Sequence, residues 1–134
     1  MIVVDTNIVA YLYLQGGRTQ QSEALLRKRP LWAAPMLWRS EFRSVLSLYL
    51  RKRLLELDTV LAIAAQAEEL LRGREYTVAS FDVMSLVADS PCSAYDCEFV
   101  ALARHLDTVL VTADRKVLKA FPGLAVPPET FTSF

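Results

Sequence analysis

The chain has 134 residues, 53% of them hydrophobic, and its 15 Lys and Arg are balanced by 15 Asp and Glu. That is enough apolar material to bury a core, and it excludes a disordered tail. Zero net charge excludes a histone-like arm that binds nucleic acid by bulk charge, but a segregated distribution of the same charges stays open.

Two cysteines, Cys92 and Cys97, and a single histidine, His105, give neither a disulfide scaffold nor zinc spacing. Free thiols point to a reducing compartment. The opening Met1-Ile2-Val3-Val4-Asp5 reaches a carboxylate too soon for a secretory signal. No run approaches the roughly 18–20 apolar residues of a spanning helix. The expectation is one domain over 1–134, soluble, cytoplasmic and without a membrane partner.

Residues 2–4 are a continuous β-branched run, the pattern of a strand covered on both faces. Residues 31–34 form a second apolar run, fenced by Pro30 and Pro35. Trp38, Phe42, Val45, Leu46 and Tyr49 then recur on one face of a helix. After Asp58, read as an N-cap, Val60, Ile63, Ala64, Ala67, Leu70 and Leu71 repeat the pattern up to Gly73. Residues 76–79 are a weaker strand candidate. Tyr95, Phe99, Leu102, Ala103 and Leu106 mark a third helical stripe, followed by a clear strand at 108–112. Residues 124–126 are a weaker strand, closed by Pro127-Pro128. Strands alternating with helices predict an α/β fold with a parallel sheet.

Ligands in such sheets collect at the carboxyl ends of the strands. Asp5 follows the first strand in Val4-Asp5-Thr6-Asn7, and Asp114 follows the late strand in Thr112-Ala113-Asp114. Each acid is also explained as the cap of the helix after it. Glu41 shares the apolar stripe of its own helix, where a carboxylate calls for compensation unless it reaches water at the stripe's edge. Asp96 completes a capping box in Ser93-Ala94-Tyr95-Asp96, and capping does not exclude metal binding.

Four such acids converging on one crevice would repel strongly, and divalent cations resolve that repulsion. Oxygen ligands without His or Cys suit Mg²⁺ or Mn²⁺, which activate water for in-line attack on a phosphodiester. Setting four of the 15 acids aside leaves 11 against 15 basic residues, a surplus available to a phosphate-bearing substrate. Arg27-Lys28-Arg29 and Arg51-Lys52-Arg53 read mainly as helix C-termini. Arg39 and Arg43, within two residues of Glu41, are better candidates for contacts to backbone phosphates.

Asp5-Thr6-Asn7, Glu41 early in a helix, Ser93-Ala94-Tyr95-Asp96 and Thr112-Ala113-Asp114, in this order and at these separations, resemble the PIN domain. In length and layout the chain is similar to the VapC toxins of toxin–antitoxin pairs. The resemblance spans residues 2 to about 126. It implies a three-layer α/β/α sandwich with a central parallel sheet of four to five strands, and a Mg²⁺- or Mn²⁺-dependent endoribonuclease. It carries four catalytic and metal-holding acids onto Asp5, Glu41, Asp96 and Asp114, a hydroxyl onto Thr112, and supporting roles onto Thr6 and Asn7, the latter orienting a bound water. It further implies an RNA substrate, a VapB-like antitoxin that inhibits the enzyme, a homodimer, and products with a 5′-phosphate and a 3′-hydroxyl.

Asp82 and Asp89 match no family position and read as loop or cap residues. Cys92 and Cys97 flank Asp96 and read as small buried residues rather than a redox device. Three rivals remain. One is a PIN-domain RNA-processing or flap-type nuclease without antitoxin. Another is a non-catalytic module that holds metal or RNA. The third is phosphoryl transfer through Asp5, which wants an acid where Asn7 stands.

Overall fold

Ile2, Val3 and Val4 are all buried and form strand β1 (Ile2–Val4) in the computed structural model, which describes residues 1–132. The last two positions of the expected domain, 133 and 134, lie outside the described residues. Successive side chains of a strand point to opposite faces, so burial of all three requires cover on both sides. The other strands are β2 (Trp32–Pro35), β3 (Glu75–Tyr76), β4 (Leu110–Val111) and β5 (Ala125–Val126). They form one parallel sheet in the order β3-β2-β1-β4-β5, with β1 at its centre.

Handedness decides where the helices go. From β1 the chain steps outward to β2 and β3, so right-handed crossovers place α1 (Thr6–Tyr13), α2 (Thr19–Lys28), α3 (Leu37–Arg51) and α4 (Leu57–Leu70) on one face. It then returns to the other side of β1, which places α5 (Ser80–Ala88), α6 (Ala94–His105) and α7 (Arg115–Ala120) on the opposite face. The contacts agree: α6 packs against β1, β2 and β4 with α5 upon it, while α3 packs against β2 and α1. A short α8 (Glu129–Thr132) leans on α2. This is the parallel α/β sheet that the alternation of strands and helices predicts, in the three-layer sandwich that the resemblance implies. No helix among the described residues is long and apolar enough to cross a membrane.

Several boundaries move for physical reasons. Leu31 is exposed, and β2 runs instead through Pro35, whose partner in β3 is Tyr76. The expected strand at 76–79 is therefore cut back to Glu75–Tyr76, because β2 offers no partner beyond Pro35. Asp58 is not the N-cap of α4: Glu56 has the extended cap backbone, and Asp58 sits in the first turn, where the dipole favours an acid. Asp82 and Asp89, read as loop or cap residues, occupy the first turn and the C-cap of α5. Tyr95 leaves the buried stripe of α6 and stands 63% exposed, whereas Phe99 and Leu102 are buried.

The start of α3 is tied to β3 by a polar clamp. Glu75 Oε2 accepts from Trp38 Nε1 at 2.7 Å and Arg39 Nε at 2.6 Å, and Oε1 accepts from Arg39 Nη2 at 2.8 Å. Arg39 Nη1 also reaches Glu68 on α4 at 3.0 Å. The Arg39 guanidinium holds Glu75 below the usual glutamate range, with the Trp38 hydrogen bond helping against desolvation. A depressed carboxylate contributes stability that is present at neutral pH and lost as pH falls below its ordinary value. Arg39→Ala is accordingly expected to lower unfolding free energy at pH 7 by roughly 1–3 kcal/mol in a urea titration, since it strands a half-buried carboxylate. Arg43→Ala, at an exposed position, should stay within about 0.5 kcal/mol of wild type.

Candidate active site

The sheet register builds the site. Val4 lies opposite Val111, so the residues that follow them, Asp5 and Thr112, leave the sheet side by side. They do so between β1 and β4, where the strand order reverses and a crevice opens at the carboxyl ends. The Asp5 N–H donates to Val111 O at 2.9 Å, holding the exit of β1 against β4. Its Oδ1 accepts from the Thr6 N–H at 2.8 Å, capping α1, and its Oδ2 accepts from the hydroxyl of the fully buried Thr112 at 2.7 Å. Thr112 Oγ1 in turn accepts from the Asp114 N–H at 3.0 Å, and Asp114 Oδ1 caps α7 through Lys116 N and Val117 N.

Glu41 reaches the same place from the second turn of α3. Its Oε1 accepts from the hydroxyl of the buried Thr6 at 2.7 Å, so it turns inward instead of extending to water. Asp96 sits in the first turn of α6, its N–H donating to Ser93 Oγ at 3.0 Å and its carboxylate accepting from Ser93 N at 3.4 Å. This is the expected capping box.

The electrostatics show which acids feel one another. Burial pushes the Asp5 carboxyl from 3.8 up to about 6; hydrogen bonds from Thr112 and Thr6 oppose the rise, and the charges of Glu41 and Asp96 add to it. Burial likewise raises Glu41, with the charges of Asp96 and Glu98 reinforcing it against the Thr6 hydrogen bond. Asp114 joins the group through Thr112 rather than by direct approach.

Glu98 is a residue that sequence reasoning missed. It is half-buried on α6 and raised by desolvation, and its only sequence signal is an acid set between the buried Cys97 and Phe99. Arg39 is engaged in the clamp to Glu75 and Glu68, on a different face of α3 from Glu41. Arg43 is exposed and forms no ion pair among the described residues. Cys92 and Cys97 are buried free thiols that burial pushes up, which keeps them protonated.

Among the described residues, no three Asp, Glu, His or Cys side chains form a ready-made cation cage. The chemistry of the donors nevertheless fits a hard divalent cation. They are oxygen-only, and the charge of Asp96 disfavours the ionised forms of both Asp5 and Glu41. Two positions from Asp5, the buried Asn7 Oδ1 has no hydrogen-bond partner.

The profile of the PIN domain matches residues 2–124. The chain belongs to the PIN domain family. This PIN domain is 27% identical over 129 residues to Ribonuclease VapC3 of Pyrobaculum aerophilum, covering 94% of this chain and 98% of the relative. Its fold is similar to FitAcB from Neisseria gonorrhoeae, with a TM-score of 0.73, 17% identity and coverage of 96% and 98% of the two chains. It is also similar to Mycobacterium tuberculosis VapC20, described as a Sarcin-Ricin loop cleaving toxin, with a TM-score of 0.65, 18% identity and coverage of 89% and 94%.

The raised Asp5 has a thermodynamic consequence that can be measured. Between about pH 4 and 6 the folded state holds a proton that the unfolded chain has released, so stability falls as pH rises through that window. Above it the buried charge destabilises by roughly 2–3 kcal/mol. In EDTA, Asp5→Asn should therefore melt at a higher temperature than wild type at pH 7 and lose most of the wild-type slope between pH 4 and 6. Identical melting curves across this range would show that Asp5 bears no buried charge.

Proposed function

We propose that this PIN domain is a divalent-metal-dependent endoribonuclease of the VapC kind, restrained by a cognate antitoxin. The observation that carries the reading is the convergence of Asp5, Glu41 and Asp96 on the β1–β4 crevice, each placed there by a cap or a threonine hydroxyl. Carboxylates raised by desolvation and by neighbouring charge, set together in a crevice, mark a candidate functional site. Support for RNA as the substrate comes from the relative named as a ribonuclease, which aligns over nearly the whole of both chains.

In this reading Asp5, Glu41, Asp96 and Asp114 hold the cation. Bound there, Mg²⁺ or Mn²⁺ supplies charge neutralisation, polarisation of the scissile phosphoryl group and acidification of water. Thr112 and Thr6 orient Asp5 and Glu41 by donating to them, which leaves the remaining lone pairs for the ion. Asn7, with its unpartnered buried oxygen, orients water beside Asp5. Arg43, exposed on the same helix as Glu41, contacts the RNA backbone; Arg39 is withdrawn from that role by its clamp.

Exposed Phe81 and Met84 on α5, and Leu54, Leu57 and Leu61 around the α3–α4 turn, are apolar surface in keeping with a homodimer and a VapB-like antitoxin.

The test incubates antitoxin-free protein with total RNA in Mg²⁺ or Mn²⁺ and maps new 5′-phosphate ends by sequencing. Discrete cuts are expected from the wild type and from neither Asp5→Asn, Asp96→Asn nor an EDTA control. Metal binding by calorimetry without any cut would favour a non-catalytic module. Among active variants, Arg43→Ala should weaken RNA binding uniformly across sequences and reduce the log–log salt slope by about 0.7, the value for one phosphate contact on a single strand.

A further inference from the structure

Beside the acids, between α3 and the first turn of α6, lies an open cavity of about 340 Å³ walled by Leu37, Ser40, Glu41, Ser44 and Tyr95. Glu41 lines this cavity and also accepts from Thr6 in the crevice, so the two are neighbours. The opposite wall is the side chain immediately before Asp96. Tyr95 is 63% exposed, although the α6 stripe it begins continues into buried Phe99 and Leu102. It forms no hydrogen bond or ring contact among the described residues, and the capping box needs only Ser93 and Asp96.

A single exposed aromatic is ordinary on a protein surface. This one differs in what it faces. The cavity lining contains no cation, and its one ionisable acid is Glu41. Glu98, one helical turn beyond Tyr95, adds negative charge that Glu41 already feels. A phosphate is repelled from such a cavity, whereas a flat uncharged ring is not. Tyr95 and Leu37 supply the apolar surface, and the hydroxyls of Ser40 and Ser44 are suited to the polar edge of a base.

We propose that this cavity receives one unstacked nucleobase of a single-stranded or looped RNA, stacked on the Tyr95 ring beside the phosphodiester held at the acids. The proposal rests on the endoribonuclease reading above and adds a requirement to it: the nucleotide next to the cut must be unpaired, because a duplex buries the face that Tyr95 would cover.

Stacking can be read without turnover. Single-stranded RNA octamers carrying 2-aminopurine at one position at a time are titrated with Asp5→Asn protein that has Tyr95, Tyr95→Phe or Tyr95→Ala. Tyr95 is exposed, so all three should fold, which circular dichroism and melting temperature verify. Quenching at one position is expected with Tyr and Phe alike and is expected to vanish with Ala, together with a roughly 5- to 150-fold weaker Kd. Quenching that survives Tyr95→Ala overturns the subsite, and so does its loss in Tyr95→Phe, because a ring face does not need the hydroxyl. A change in self-association on sedimentation with unchanged quenching places Tyr95 in a protein contact and also overturns it. The parent reading fails separately: wild-type protein that makes no metal-dependent cut in any RNA removes the nuclease, whereas normal wild-type cutting with Tyr95-independent quenching removes only the subsite.

Discussion

The burial of the Asp5 and Glu41 carboxylates, beside the charge of Asp96, is the constraint that the rest of the structure answers to. Three carboxylates in one partly buried crevice are unfavourable in a metal-free chain, and each is held there by a device belonging to the fold. The Val4–Val111 register sets Asp5 beside Thr112. The N-termini of α1, α6 and α7 turn partial positive charge toward Asp5, Asp96 and Asp114. Two buried threonines donate hydrogen bonds across elements, one from β4's exit to β1's and one from α1 to α3. These interactions explain why burial moves Asp5 no further than about 6.

Capping and metal binding are often weighed as competing explanations of an acid, and the geometry of these caps is compatible with both. Asp5, Asp96 and Asp114 all cap helices, as their sequence contexts indicate. A cap occupies part of a carboxylate's hydrogen-bonding capacity and fixes its direction; Asp114 uses Oδ1 alone for both of its cap bonds. The same geometry that satisfies a helix's free N–H groups thereby fixes the direction of each carboxylate at the carboxyl end of the sheet. Glu41 is the exception, an acid within a helix that depends on Thr6 instead of a backbone amide.

Legibility in the sequence followed the range of the interaction. Ile2-Val3-Val4 announced a doubly covered strand, and Trp38, Phe42 and Leu46 announced the buried face of α3, because period and composition are local. The capping box at Ser93 and Asp96 was equally local. The end of β3 was not, since it is set by where β2 stops; nor was the engagement of Arg39, whose partners Glu75 and Glu68 are 36 and 29 residues away. Tyr95 fitted the apolar period of α6 but lies where neither the sheet nor α5 covers it, and Glu98 acquired significance only once α3 was packed opposite. Side-chain type and spacing located the acids; tertiary packing decided which cations and aromatics accompany them.

The shortness of β3 and β5 has a bearing on how this chain survives in a crowded solution. They are the two open margins of the sheet, yet each is only two residues long, and β5 runs directly into Pro127 and Pro128, which have no N–H to offer. A chain with just over half its residues hydrophobic presents an aggregation hazard if its sheet can recruit further strands. Margins this short give an incoming segment one or two hydrogen bonds and no register to propagate, so intermolecular β-pairing is denied a template.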